Sequence, residues 1–250
     1  MGGHSHWSTI KRKKGAEDAK RGKIFTKILR EVTTAARIGG GDINGNPRLR
    51  LAVAKSKEVN MPADNIKKAI QRGTGELPGV NYEEIVYEGY GPGGTAMLIE
   101  ITTDNKYRSV AEIRNLLEKN NGRMAEAGSV SWMFHRKGRL MIDRAKADED
   151  ALMTLVLEAG AEDLQTTDDG FEVVTPPHDF ENVRKVLEDR KIPTLSAEVV
   201  YIPQNTVALD GKDAEQMLKL MELLEDHDDV QNIHANFDIP QEVMEKVAAK

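Results

Sequence analysis

The stretch RLMIDRAKADEDALMTLVLEAGAEDLQTTDDGFEVVTPPHDFENVRKVLEDRKIPTLSAEVVYI, residues 139–202, decides the fold. It opens on Arg139-Leu140-Met141-Ile142, which reads as a strand. Asp148 stands where a helix cap belongs, and Leu152, Leu155 and Val156 recur at helical spacing until Gly160 closes the segment. Two β-prone segments, 163–167 and 171–175, flank Asp168-Asp169-Gly170, the composition of a tight hairpin turn. Phe180, Val183, Val186 and Leu187 mark a second helix, and residues 195–202 form a last strand. The order β-α-β-β-α-β is the ferredoxin-like signature.

On the N-terminal side, strands are expected at 84–89 and 96–103, on either side of the turn Gly89-Tyr90-Gly91-Pro92-Gly93-Gly94. A helix at 108–119 carries Val110, Ile113, Leu116 and Leu117 on one face, Asn121-Gly122 ends it, and 129–134 reads as another strand. On the C-terminal side come a short strand near Val207, a helix over 212–224, a strand over 230–237 and a short terminal helix after Pro240. Neither flank is large enough to bury a core alone. Residues 80–134 and 204–250 are therefore expected to form one discontinuous α/β domain, with residues 135–203 inserted into it.

Residues 1–79 read as a basic helical domain. A helix over 18–38 is ended by Gly39-Gly40-Gly41; Asn46-Pro47 opens a second, through about Val59; Pro62 opens a third, which stops at Gly73. The whole is α+β, in three domains. At 100° per residue, Lys23, Lys27, Arg30 and Arg37 of the first helix fall within about 80° of one another. Ile24, Phe25, Ile28, Leu29, Val32, Ala35 and Ala36 occupy the opposite side.

Charge separates along the chain. Up to Val80 there are 17 Lys and Arg against 7 Asp and Glu; of the totals 35 and 41, this leaves 18 against 34 for the rest. A polybasic end on an acidic protein points to a polyanionic partner, because lysine and arginine neutralise phosphates and release counterions. The residues expected to contact nucleic acid are Lys11, Arg12, Lys13, Lys14, Lys20, Arg21, Lys23, Lys27, Arg30, Arg37, Arg48 and Arg50. Arg48 and Arg50 flank a helix start whose amides can also face a phosphate. Trp7 either stacks on a base or anchors the arm against the helices. Reversing the charges of Lys23, Lys27 and Arg30 is expected to abolish binding and leave folding intact.

Catalytic signatures are missing. The sequence has no cysteine, which excludes disulfides, thiolate zinc sites and cysteine nucleophiles. The Gly89–Gly94 turn lacks the strand–turn–helix setting of a dinucleotide site, and no phosphate-binding loop or nucleophile elbow occurs. His4, His6, His135, His178, His227 and His234 do not form a ligand set, and the acids 226–229 read as helix-end solvation rather than a calcium loop. Neither a metal nor a cofactor is expected, and the protein reads as a non-enzyme. No apolar run reaches 18 residues and the N-terminus has no apolar signal segment, so no membrane contact and a cytoplasmic location are expected.

The ordered motifs Gly3-His4-Ser5 with Trp7, Arg21-Gly22-Lys23, Phe25-Thr26-Lys27, Gly45-Asn46-Pro47-Arg48-Leu49-Arg50, Asn60-Met61-Pro62 and Arg72-Gly73-Thr74-Gly75 closely resemble the YebC/PmpR family, which includes mitochondrial translational activators. The match continues through Tyr87-Glu88-Gly89-Tyr90-Gly91-Pro92-Gly93-Gly94, Thr103-Asp104-Asn105 and Gly128-Ser129-Val130-Ser131-Trp132-Met133-Phe134. His6 departs from it, standing where the family usually has lysine. The resemblance implies a helical domain, a central α/β domain and an inserted ferredoxin-like domain, with no catalytic site. It implies a DNA-binding transcriptional regulator. The alternative it implies is a ribosome-associated factor that contacts rRNA or tRNA and relieves stalls such as those at proline runs. In that alternative the acidic domains would meet basic ribosomal proteins.

Overall fold

Asn46 shows how the helical part is assembled. Its side-chain oxygen accepts from the Leu49 amide at 3.1 Å, while its Nδ2 donates to the carbonyls of Ala35 and Gly40 at 2.8 and 2.9 Å. One buried amide thus caps the start of one helix and satisfies carbonyls at the end of the preceding one. The computed structural model describes residues 18–167, 170–240 and 242–244. In it these helices are α1 (Asp18–Gly39) and α2 (Pro47–Glu58), followed by α3 (Ala63–Thr74). Val32, Ala35 and Ala36 of α1, Leu49, Ala52 and Val53 of α2, and Ile66 and Ala69 of α3 form their common core with Met61. The apolar side of α1 expected from its periodicity is the buried side, although Ile24 at its outer end is exposed.

Gly73 does not end α3. The helix continues to Thr74 and stops at Gly75, which takes the left-handed conformation at φ 83°. Gly73 instead lets two helices approach, since a Cβ there would lie 2.4 Å from the Thr33 carbonyl oxygen.

Beyond the helices lie β1 (Glu83–Tyr90), β2 (Ala96–Thr103), α4 (Lys106–Lys119) and β3 (Arg123–Ala125). The expected strand over 129–134 is not one. Residues 131–133 form a 3₁₀ turn, and the Glu88 carboxylate accepts the amides of Gly128, Val130 and Ser131 at 2.7, 2.6 and 3.0 Å. Amides held by a carboxylate are lost to a strand ladder. The short β3, absent from the sequence reading, pairs with β1 instead.

Residues 134–204 form a compact unit of their own. It comprises β4 (Phe134–Ile142), α5 (Glu149–Glu158), β5 (Asp163–Thr167), β6 (Gly170–Thr175), α6 (Phe180–Asp189) and β7 (Thr194–Pro203). The sheet order β5-β6-β4-β7, antiparallel throughout, is the ferredoxin-like arrangement. Leu152 and Val156 of α5, Val183 and Leu187 of α6, and Leu140 and Val173 of the sheet are buried, as their spacing predicts. Asp168 and Asp169 of the expected hairpin turn lie outside the described residues.

The chain then returns through β8 (Val207–Ala208), α7 (Gly211–Glu225), β9 (Val230–Ala235) and β10 (Phe237–Asp238). The first sheet has the order β3-β1-β2-β9, so strands from before and after the inserted unit share one ladder. The segment 230–237, read as one strand, is two. Asn236 interrupts it by accepting from the Ala96 amide at 2.7 Å, and β10 pairs parallel to β8. Met97, Ile99 and Ile101 of β2, Ile113 and Leu117 of α4, and Met217, Leu218, Met221 and Leu224 of α7 form the core, joined by Met244 from the short helical segment 242–244.

Candidate nucleic-acid interface

The basic stripe of α1 meets the end of α7. A helix leaves its last carbonyls without intrahelical donors. The Lys27 ammonium donates to the Glu225 carbonyl, and Lys23 donates to the Asp226 carbonyl at 3.2 Å. Arg30 Nη1 donates to the Asp228 carbonyl at 2.8 Å and to Asp229 Oδ1 at 2.6 Å. Cations placed at a helix C-terminus also oppose the negative end of its dipole. Burial pushes the Lys27 pKa down to about 8, although Glu225, Asp226 and Asp228 pull the other way. The acids 226–229, expected to be simply solvated, are thus the counter-surface of α1.

Asp229 is the buried centre of this contact. Its side chain is 2% exposed and accepts from Arg30, from Arg108 at 2.8 Å, from Ser109 at 2.6 Å and from Thr103 at 3.1 Å. Burial alone would raise its pKa, but hydrogen bonds from Arg108, Ser109 and Arg30 hold it well below the usual carboxylate range. Sequence reasoning missed Thr103, Arg108, Ser109 and Asp229, because the group joins β2, α4 and the turn before β9 across more than a hundred residues. The motif Thr103-Asp104-Asn105 and the acids at 226–229, read only as helix-end solvation, were its visible traces.

The remaining expected contacts also divide. Arg37 Nη2 donates to the Val80 carbonyl at 2.9 Å. Arg48 grips Glu31 through two bonds of 2.7 and 2.9 Å and also binds Glu84 on β1. Hydrogen bonds to Glu84 and Glu31 raise its pKa above the ordinary arginine value. Arg50 donates to the Asn44 carbonyl at 3.1 Å. The α2 start offers no open phosphate seat at Leu49, whose amide Asn46 already holds. Lys20 and Arg21 lie on α1, while Trp7 and Lys11 to Lys14 fall outside the described residues. The expectation that Lys23, Lys27 and Arg30 are reversible without cost to folding is corrected, since each is bonded to the turn 225–229.

Cations the sequence reading passed over stand outward: Lys55 and Lys57 at the end of α2, and Lys67, Lys68 and Arg72 on α3, are all exposed. Residues 47–74 hold seven Lys and Arg against only Glu58 and Asp64. The spacing of Lys68 and Arg72, one helical turn apart, was the legible signal.

Among the described residues, Glu112, His227 and Asp229 bring possible ligand atoms within 4.8 Å of one another. Their donors are already engaged. His227 Nδ1 accepts from the Asp229 amide at 3.2 Å, its Nε2 faces Glu112 at 2.9 Å, and two guanidinium groups hold Asp229. Positive charge at the carboxylate opposes a cation there. No described helix is long and apolar enough to cross a membrane.

Fold and charge together define an α+β protein in which a polybasic helical module is joined to an acidic sheet by ion pairs. Residues 5–76 match the model of the TACO1/YebC N-terminal domain, and residues 82–237 match that of the family's second and third domain. The chain belongs to the TACO1/YebC family. It is 58% identical to a "probable transcriptional regulatory protein" of Syntrophus aciditrophicus over the full length of both. A protein of Geobacter sulfurreducens with the same description is 58% identical over 99% of this chain and 100% of that one. The crystal structure of a conserved hypothetical protein from Aquifex aeolicus is similar at a TM-score of 0.82, with 41% identity over 89% of this chain and 92% of that one.

Proposed function

We propose that this protein is a non-enzymatic, DNA-binding regulator of transcription that grips the phosphate backbone with the outward face of its helical part. One observation carries the reading. While Lys23, Lys27, Arg30, Arg37 and Arg48 bond within the chain, α2 and α3 expose Lys55, Lys57, Lys67, Lys68 and Arg72, of which Lys68 also pairs with Asp64 at 2.6 Å. The description shared by the curated relatives agrees with a role in transcription, and none of the relatives described above points to the ribosome. Lys20, Arg21, Arg50 and the run Lys11-Arg12-Lys13-Lys14 extend the same positive charge along the sequence. Phosphate contacts of this kind give affinity and position; they carry no base preference by themselves.

The test is duplex-DNA binding by fluorescence anisotropy over a salt series, for the wild type and for Lys67→Gln/Lys68→Gln/Arg72→Gln. Removing one phosphate-neutralising cation lowers the slope of log K against log salt by about 0.9, so the variant's slope falls by up to about 3. An unchanged slope and affinity would remove these residues from the interface. Preference for RNA over duplex DNA at the same salt would overturn the DNA reading.

A further inference from the structure

The contact between α1 and the turn 225–229 differs from the rest of the molecule's packing. The helical core and the sheet core are separate clusters with no residue in common. Among the described residues, the bonds of the seam are polar: Lys23, Lys27 and Arg30 to the turn and to the Thr102 carbonyl, Arg37 to Val80, and Arg48 to Glu84. A groove of about 600 Å³, lined in part by Lys23, Arg30, Arg108, Asp226 and Asp228, runs beside it, so water and ions reach these pairs. Charged contacts near solvent weaken as salt rises, whereas apolar cores do not.

We propose that the turn 225–229 is an internal stand-in for a polyanion: it engages Lys23, Lys27 and Arg30 of α1, with Lys23 half exposed at its edge, and the phosphate backbone of DNA displaces it, freeing these cations as a second contact face. This regulation rests on the DNA-binding reading above. The turn presents to the stripe a short succession of carbonyl and carboxylate oxygens on an acidic segment, where a nucleic-acid strand would present phosphate oxygens.

Both sides tolerate separation. When Arg30 leaves, Asp229 keeps Arg108, Ser109 and Thr103, so no buried carboxylate is stranded. Opening breaks the Arg30 bonds to Thr102, Asp228 and Asp229 but frees its Nε, which is buried without a hydrogen-bond partner among the described residues, to reach water or phosphate. The burial that depresses the Lys27 pKa is likewise relieved on opening. The connector between the modules, residues 75–82, includes Gly75, Pro78 and Gly79, and nearly all of it is exposed. A chain segment of that composition takes up a change of angle without unfolding either core.

The test uses the full chain, whose lack of cysteine allows site-specific spin labels at Asn65→Cys on α3 and Lys212→Cys on α7, both exposed positions. Double electron–electron resonance is recorded with and without a duplex DNA fragment. The expected result is a shift of the label distance to longer values when DNA is added. Asp226→Asn/Asp228→Asn weakens the closed form and is expected to bind DNA about ten-fold more tightly. Glu158→Gln/Glu188→Gln, equal in net charge and placed on the inserted unit, controls for bulk electrostatics and is expected to change affinity by less than about two-fold. Arg30→Gln, which gives up its bonds to the Thr102 and Asp228 carbonyls and to Asp229, should lengthen the distance without DNA. Tight binding with an unmoved label distance, or equal gains in the two acidic double variants, overturns the latch and leaves the DNA reading standing. Absence of DNA binding by the wild type and by Asp226→Asn/Asp228→Asn alike overturns both.

Discussion

At the scale of single residues, Asp229 joins three elements, α1, β2 and α4. Four side-chain donors converge on it, two of them cationic. Removing it leaves Arg30 and Arg108 facing each other without their shared anion. Asp229→Ala is therefore expected to cost about 3–5 kcal/mol, read from urea denaturation midpoints. The pH dependence has a definite sign. The folded-state pKa lies below that of the unfolded chain, so the stabilisation is complete above the ordinary aspartate value of about 3.9 and drains away as pH falls through the folded-state value. As pH falls below about 4, wild type should lose stability more steeply than Asp229→Asn. Parallel profiles for the two proteins would show that the network does not set the pKa. Arg48 makes the complementary point. It was expected to bind phosphate, and in the folded chain its guanidinium already lies between two carboxylates, Glu31 and Glu84.

At the scale of elements, periodicity located the helices well, and caps located their ends except where packing intervened. Asn46-Pro47 and Asp148 read correctly because an N-cap is a local interaction, made within three residues of itself. Gly73 misled because glycine serves two purposes, chain reversal and close approach, and only a neighbouring helix distinguishes them. Gly73→Ala should destabilise by about 1–3 kcal/mol, because its methyl would press on the Thr33 carbonyl; a thermal melt unchanged from wild type would refute the close-packing role. The strands at the chain's crossing points were harder. Residues 129–133 have strand-like composition, but a distant carboxylate on β1 claimed their amides. The break at Asn236 likewise depends on Ala96, 140 residues away.

At the scale of the whole molecule, two compact units divide the chain: residues 134–204, and everything before and after them. The inserted unit has its own sheet and its own two helices. Expressed alone, residues 134–204 should fold cooperatively, with a single urea transition and dispersed amide resonances. A molten or unfolded fragment would mean that the insertion depends on its host. The rest of the chain carries the charge separation, and the tertiary structure turns part of it inward.

The sequence by itself determined the ferredoxin-like insertion, the helical character of residues 18–74, the segregation of charge and the family. These features rest on spacing, composition and neighbours close in the chain, so a linear reading reaches them. Tertiary structure alone decided which cations remain available. Lys23, Lys27 and Arg30 share one helix face in any reading, but a face is open or occupied according to what packs against it. Here the occupant is an acidic turn about two hundred residues further along the chain, brought there because β9 hydrogen-bonds to β2. Charge is a property of the residue; its availability to a partner depends on which opposite charges the fold has already placed within a few ångströms.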